Sequence, residues 1–122
     1  MKLRDLNGRL IKFSLTQTVR LDDKVEGAQG VMFQCPRCAQ GKEIAEEEGR
    51  RFVRGAHYIR IFFSNPRGTE VAPPEVDNNP RWEMSGTGID DLTLQPSINL
   101  DLPENGPNSC KWHGWVKNGD AA

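Results

Sequence analysis

Phe33-Gln34-Cys35-Pro36-Arg37-Cys38-Ala39-Gln40-Gly41 and Ser109-Cys110-Lys111-Trp112-His113-Gly114 are the two stretches that decide the fold. The first is a C-x-x-C turn with glycine downstream; the second is a C-x-x-H turn with glycine directly after it. Ligands three positions apart on a tight turn can point at one ion. Turn N–H groups can donate to the thiolates, and glycine relieves the turn sterically. Two such turns supply the four ligands of a tetrahedral zinc, and Cys3His is a known structural set. Cys35, Cys38, Cys110 and His113 are therefore the predicted metal ligands, for one structural zinc ion (Zn2+). The insert between the turns is long for a zinc finger, but a small sheet can fill it, because loop-closure cost grows only logarithmically with length. A redox C-x-x-C would sit in a βαβ context that is not visible here. A Cys35–Cys38 disulfide fits a reducing compartment poorly. His57 is the competing ligand, although a lone histidine at the head of a strand is more often a core-edge residue.

Outward from these turns the chain reads as strands. Residues 10–21 alternate, with Ile11, Phe13, Leu15, Val19 and Leu21 mostly on one side, which predicts a strand or hairpin arm. Val31-Met32-Phe33 predicts a strand that delivers Cys35. His57 to Phe63 is β-branched and aromatic and ends in Ser64-Asn65-Pro66, which is turn chemistry. Residues 64–80 read as a long loop. Arg81 to Ser85 is a short strand, and 91–100 is another, with Pro96 forcing a bend or an edge position. Cys110 to Lys117 is a last strand before the Asn118-Gly119 turn. The one candidate helix is 42–54, where Glu46–Arg50 and Glu47–Arg51 have the favourable i,i+4 order. Gly49 opposes it, and a charged hairpin or loop is the alternative. The predicted fold is a mainly β, small α+β arrangement: one domain over residues 1–122, a compact antiparallel sheet with zinc-ribbon-like metal turns and at most one short helix.

The chain has 122 residues, 36% hydrophobic and 27% charged, with 12 Gly and 8 Pro. That composition allows a thin core with many turns, which a metal would help to hold. The formal charge of −1 gives no bulk reason to expect nucleic acid or a membrane surface. No apolar run is long enough to span a bilayer, and Met1-Lys2-Leu3-Arg4-Asp5 opens no signal peptide. The expected location is the cytoplasm.

Four good ligands close a zinc shell, whereas a catalytic zinc keeps an open position. The chain has no HExxH, no H-x-E and no P-C-x-x-C. A non-enzymatic binding module is therefore the expected class, with no catalytic residues assigned. The alternative is a small nucleic-acid-associated zinc protein using Arg50, Arg51, Arg54, Arg60, Arg67 and Arg81 with Tyr58 and Phe62 interleaved. A metal-dependent hydrolytic enzyme ranks third. Trp82, Trp112 and Trp115 are expected to pack the core around the metal.

Trp82-Glu-Met-Ser85-Gly86, then Asp91-Leu-Thr93-Leu-Gln-Pro96-Ser97-Ile98, then Cys110-Lys-Trp-His113-Gly114-Trp-Val-Lys-Asn118-Gly119 resemble a small family of domains. These are common in tailed phages and prophages and are often mislabelled as ammonia monooxygenase. The resemblance covers roughly residues 30–120. It implies a compact β-rich zinc domain with Cys35, Cys38, Cys110 and His113 as ligands, and with Thr93, Pro96 and Ser97 shaping a bend beside the metal. It implies a phage-encoded accessory protein bound to a host or virion protein, in the host cytoplasm or the virion. No monooxygenase chemistry carries over, since copper-type histidine clusters are lacking. Relatives continue after the x-x-G turn with another strand, whereas this chain stops at Ala122. The last hairpin arm is therefore expected to be missing or supplied otherwise, and an exposed edge there could pair with a partner strand.

Overall fold

The computed structural model describes residues 1–13, 18–20, 23–73, 80–101 and 111–122. It is mainly β, built from small antiparallel sheets, as expected. After a 3-10 turn at Leu3–Leu6, β1 (Arg9–Phe13), β2 (Thr18–Arg20), β3 (Gly30–Gln34) and β6 (Tyr58–Phe62) form a sheet in the order β2-β1-β3-β6. Strand β3 is central, and the register runs Gly30↔Phe62 to Gln34↔Tyr58. Val31 and Phe33, on one face of the strand, are buried, and Met32 on the other is half-buried. Gly30 permits the close approach: a Cβ there would run into the Ile61 carbonyl and Phe62. A single helical turn, α1 (Pro36–Ala39), follows β3, with Pro36 at its start, where the missing N–H costs nothing.

Residues 42–54 are a hairpin, β4 (Ile44–Glu47) and β5 (Arg50–Val53), and not the helix. Glu48 and Gly49 both have positive φ, 54° and 77°, as a two-residue primed turn requires. The acids and arginines expected at i,i+4 instead face each other across strands, Glu46↔Arg51 and Glu47↔Arg50. Buried Gln34 ties this hairpin to β3: its Nε2 donates to the Val53 and Ala56 carbonyls, and its Oε1 accepts from Val53 N–H.

The C-terminal half adds β7 (Glu83–Ser85) on β8 (Thr93–Gln95), β9 (Ile98–Asp101) on β10 (Lys111–Gly114), and β11 (Val116–Lys117) on β12 (Asp120–Ala121). Pro96 separates β8 from β9, and the peptide bond before it is cis. One apolar cluster joins both halves, from Leu3, Leu10 and Phe33 through Ile61 and Phe63 to Leu94, Ile98, Trp112 and Val116. Of the tryptophans, Trp112 is buried, Trp82 packs against the cluster and Trp115 is exposed.

The expectation of a missing hairpin arm is corrected. Asn118 and Gly119, with φ of 49° and 75°, turn the chain so that Asp120 and Ala121 supply the arm. Trp115 and Ala122 then exchange both backbone hydrogen bonds. The proposed arginine strip is also broken up. Arg51 pairs with Asp5 at 2.8 Å, Arg67 donates to the Gly86 carbonyl, and Arg81 lies over the buried Phe62 ring. Among the described residues no helix is long and apolar enough to cross a membrane.

Candidate functional site

Two constellations of reactive side chains stand out. The first lies where β3 runs into α1. Cys35 precedes the helical turn and Cys38 sits inside it, which brings both thiols round to one side. The backbone N–H of Cys35 donates to the carbonyl of His57 at 2.8 Å, which fixes the start of β6 beside the turn. The ligand atoms of Cys35, Cys38 and His57 lie within 4.8 Å of one another. Cys35 is buried and the other two are half-buried. His57 Nε2 is buried without a hydrogen-bond partner. An orphaned imidazole nitrogen beside two thiols fits a thiophilic divalent ion, which would satisfy it.

Of the four predicted ligands, Cys35 and Cys38 belong to this group, Cys110 lies outside the described residues, and His113 is not a member. His57, read as a core-edge residue, stands in the group.

His113 belongs to the second constellation. Its Nε2 lies 3.2 Å from Ser97 Oγ, within hydrogen-bond reach. Ser97 directly precedes β9 and His113 is in β10, two antiparallel strands in register from Ile98↔Gly114 to Asp101↔Lys111. Ile98 and Trp112 point into the core, so their neighbours Ser97 and His113 are turned outward by the pleat. The Ser97 backbone is pinned from the other side, its carbonyl accepting from Trp82 Nε1 at 3.3 Å. Trp82 in turn exchanges backbone bonds with Phe62 and Ser64 at the end of the main sheet. Gly114, next to His113, has to be glycine: a Cβ would meet the Ala122 carbonyl and lie 2.7 Å from the Trp112 ring. Thr93 Oγ1 accepts from Asn118 N–H at 3.0 Å, linking β8 to the last hairpin.

A serine hydroxyl hydrogen-bonded to an imidazole nitrogen is the minimal arrangement for an activated nucleophile. Sequence reasoning gave Ser97 only a bend-shaping part and His113 only to the metal. The available signal was that each sits in one of the two most distinctive blocks of the C-terminal half; strand pairing, which sequence spacing does not show, is what joins them.

The fold and this pair thus define a small β protein carrying a Ser–His dyad on an outward strand surface. Residues 65–122, the half that holds the dyad, match the model of the BubE family, described as a bacterial ubiquitination-like system serine protease. No curated protein and no solved structure matches. The family match corrects two expectations. The non-catalytic phage accessory role and the expectation that the chain is no enzyme are both contradicted by similarity to a family described as a serine protease. The first came from the resemblance and the second from a zinc shell closed by His113, a side chain that lies within hydrogen-bond reach of a serine hydroxyl.

Proposed function

We propose that this chain is a serine peptidase of a ubiquitin-like modification system, with Ser97 as nucleophile and His113 as general base. The observation that carries the reading is the 3.2 Å contact between Ser97 Oγ and His113 Nε2, inside the region similar to a serine protease family. His113 Nε2 takes the hydroxyl proton as Ser97 Oγ bonds to the scissile carbonyl carbon. The imidazolium then returns the proton to the leaving amine as the C–N bond breaks, leaving an acyl ester on Ser97. Water, deprotonated by the same imidazole, hydrolyses the ester and restores the hydroxyl. A dyad on an exposed strand surface suits a polypeptide segment, which can lie along it. The substrate class follows from the family's description, a protein of the modification system.

The metal reading is part of the same proposal. Cys35, Cys38 and His57 hold one zinc ion, which braces the junction of β3, α1 and β6. Cys110 is the fourth ligand by sequence. In support, Trp112, two residues after Cys110, packs edge-on against Phe33, two residues before Cys35, with ring centroids 6.0 Å apart. His113, engaged by Ser97, is left to the chemistry.

A fluorophosphonate probe tests the peptidase reading. Intact-mass and peptide analysis should place one adduct on Ser97. Ser97→Ala and His113→Ala should lose it, and Ser64→Ala should keep it. Labelling that persists in Ser97→Ala sinks the assignment.

A further inference from the structure

We infer that Asn99 is the third member of the site, a positioning residue whose side-chain carbonyl accepts from His113 Nδ1–H. The inference rests on the peptidase reading above and deepens it. Asn99 is the direct cross-strand partner of His113, and side chains so paired have Cβ atoms about 5 Å apart on one face. It also lies two residues after Ser97, on the same outward side of the chain, and both Asn99 and His113 are exposed while Ile98 between the serine and the asparagine is buried. Nucleophile, base and amide thus share one surface. The structure holds His113 through Nε2 to Ser97 and shows no bond from Nδ1 to Asn99; the register places the amide opposite the ring, and catalytic hydrogen bonds of this kind often tighten only when substrate is bound.

The chemistry asks for such a group. For Nε2 to accept the Ser97 proton, the proton of the neutral imidazole must sit on Nδ1, and an acceptor there holds that tautomer and the ring orientation. An amide oxygen does this without charge, as in Cys-His-Asn sites. The alternative role for Asn99 is donation of its NH2 to the developing oxyanion. Geometry favours the imidazole, because Asn99 stands opposite His113 and not opposite the serine. In the β9–β10 ladder Asp101 and Lys111 form the cross-strand pair two positions along from Asn99 and His113.

Asn99→Asp separates the two roles. An acceptor site converted to a carboxylate should label with the fluorophosphonate at least as fast as the wild type, since the carboxylate both orients the ring and stabilises the imidazolium. An oxyanion donor converted to a carboxylate would repel the developing charge. We expect Asn99→Ala to lower the labelling rate at saturating probe about tenfold or more with an unchanged melting temperature. NMR titration supplies a readout that a merely structural residue would not move. The chain has 2 histidines, so the His113 resonance is assigned by its loss in His113→Gln. Its pKa should rise by about one unit or more in Asn99→Asp. Slow labelling of Asn99→Asp with an unmoved His113 pKa overturns the inference. If the wild type fails to label at all, the peptidase reading falls, and the titration alone decides whether Asn99 touches His113.

Discussion

The two constellations are built on opposite terms. Cys35, Cys38 and His57 sit where three elements converge, with Cys35 at 0% exposure inside the large apolar cluster. Ser97, just before β9, and His113, in β10, flank the buried Ile98 and Trp112. The buried His57 Nε2 without a partner costs stability unless something satisfies it. A half-buried hydroxyl and an exposed imidazole cost little and can meet a substrate. The two histidines are thus divided by their surroundings, one beside two thiols and one beside a hydroxyl. Cys35, Cys38 and His57 lie in the part of the chain that the family model does not match, and Ser97 and His113 in the part that it does.

The sharpest way to break this division is to take away the metal. Structural zinc contributes about 10 kcal/mol or more in small domains, comparable with the whole stability of a chain this size. A strong chelator, or Cys38→Ser, should lower the melting temperature steeply and release one zinc per chain by metal analysis. Probe labelling of Ser97 should disappear in parallel with unfolding and not ahead of it. Loss of labelling in a protein that keeps its melting temperature would place the ion in the catalytic site and end the distinction.

Ser97→Ala should do the converse. Removing a serine nucleophile costs at least about 10⁴-fold in rate, equivalent to roughly 5 kcal/mol of transition-state stabilisation. The melting temperature and zinc content should not change, because the hydroxyl is only half-buried and its hydrogen bond is to an exposed side chain. A large drop in melting temperature would make the hydroxyl part of the scaffold.

Phe33→Ala tests the joint between the regions. Phe33 is fully buried and its ring meets Trp112 at 84°. Truncating a buried phenylalanine costs about 3–5 kcal/mol. The variant should melt earlier in thermal denaturation, and where still folded it should label Ser97 more slowly, since Trp112 immediately precedes His113. Unchanged labelling kinetics in folded Phe33→Ala would show that β10 is positioned without that ring contact.

How much of this was legible beforehand follows from what each feature depends on. The β class, β3 running into Cys35, the strand at Tyr58–Phe62 and the Asn118-Gly119 turn follow from local pattern, and the structure has them. The hairpin at 44–53 was obscured because its charges satisfy helical spacing as well as cross-strand pairing; the positive φ of Glu48 decided it. The closing strand at Asp120–Ala121 was missed because two residues carry no period. The first cysteine pair was legible because both thiols sit on one turn. The serine's partner was not, because Ser97 and His113 meet only through the register of β9 and β10. Histidine assignment by proximity in sequence gave His113 to the metal, whereas the long-range pairing of β3 with β6 brings His57 to Cys35.

The smallest effect concerns acid. The Asp91 carboxylate accepts from the backbone N–H groups of Gly88 and Thr87 and from the Thr87 hydroxyl. These bonds, the Gly88 N–H first among them, hold its carboxyl below the usual carboxylate range. Asp90 is likewise lowered, chiefly by its hydrogen bond from Arg4. A carboxyl with a lowered folded pKa contributes stability that is fully present above its unfolded value of about 4 and is lost as pH falls through the folded value. Asp90 is exposed and Asp91 half-buried at the surface, so solvent screening keeps the effect small. The turn they hold leads into β8, where Leu92 and Thr93 accept from Gly119 and Asn118. Melting of Asp91→Asn should therefore lie slightly below wild type at pH 7, with the gap closing below about pH 4 as the wild-type carboxyl protonates. Zinc content at neutral pH should be the same in both. A gap that stayed constant down to pH 3 would mean that the carboxylate's charge contributes nothing to the turn. A loss of zinc from Asp91→Asn at neutral pH would mean that the dyad's half of the molecule and the metal's half are not separately braced.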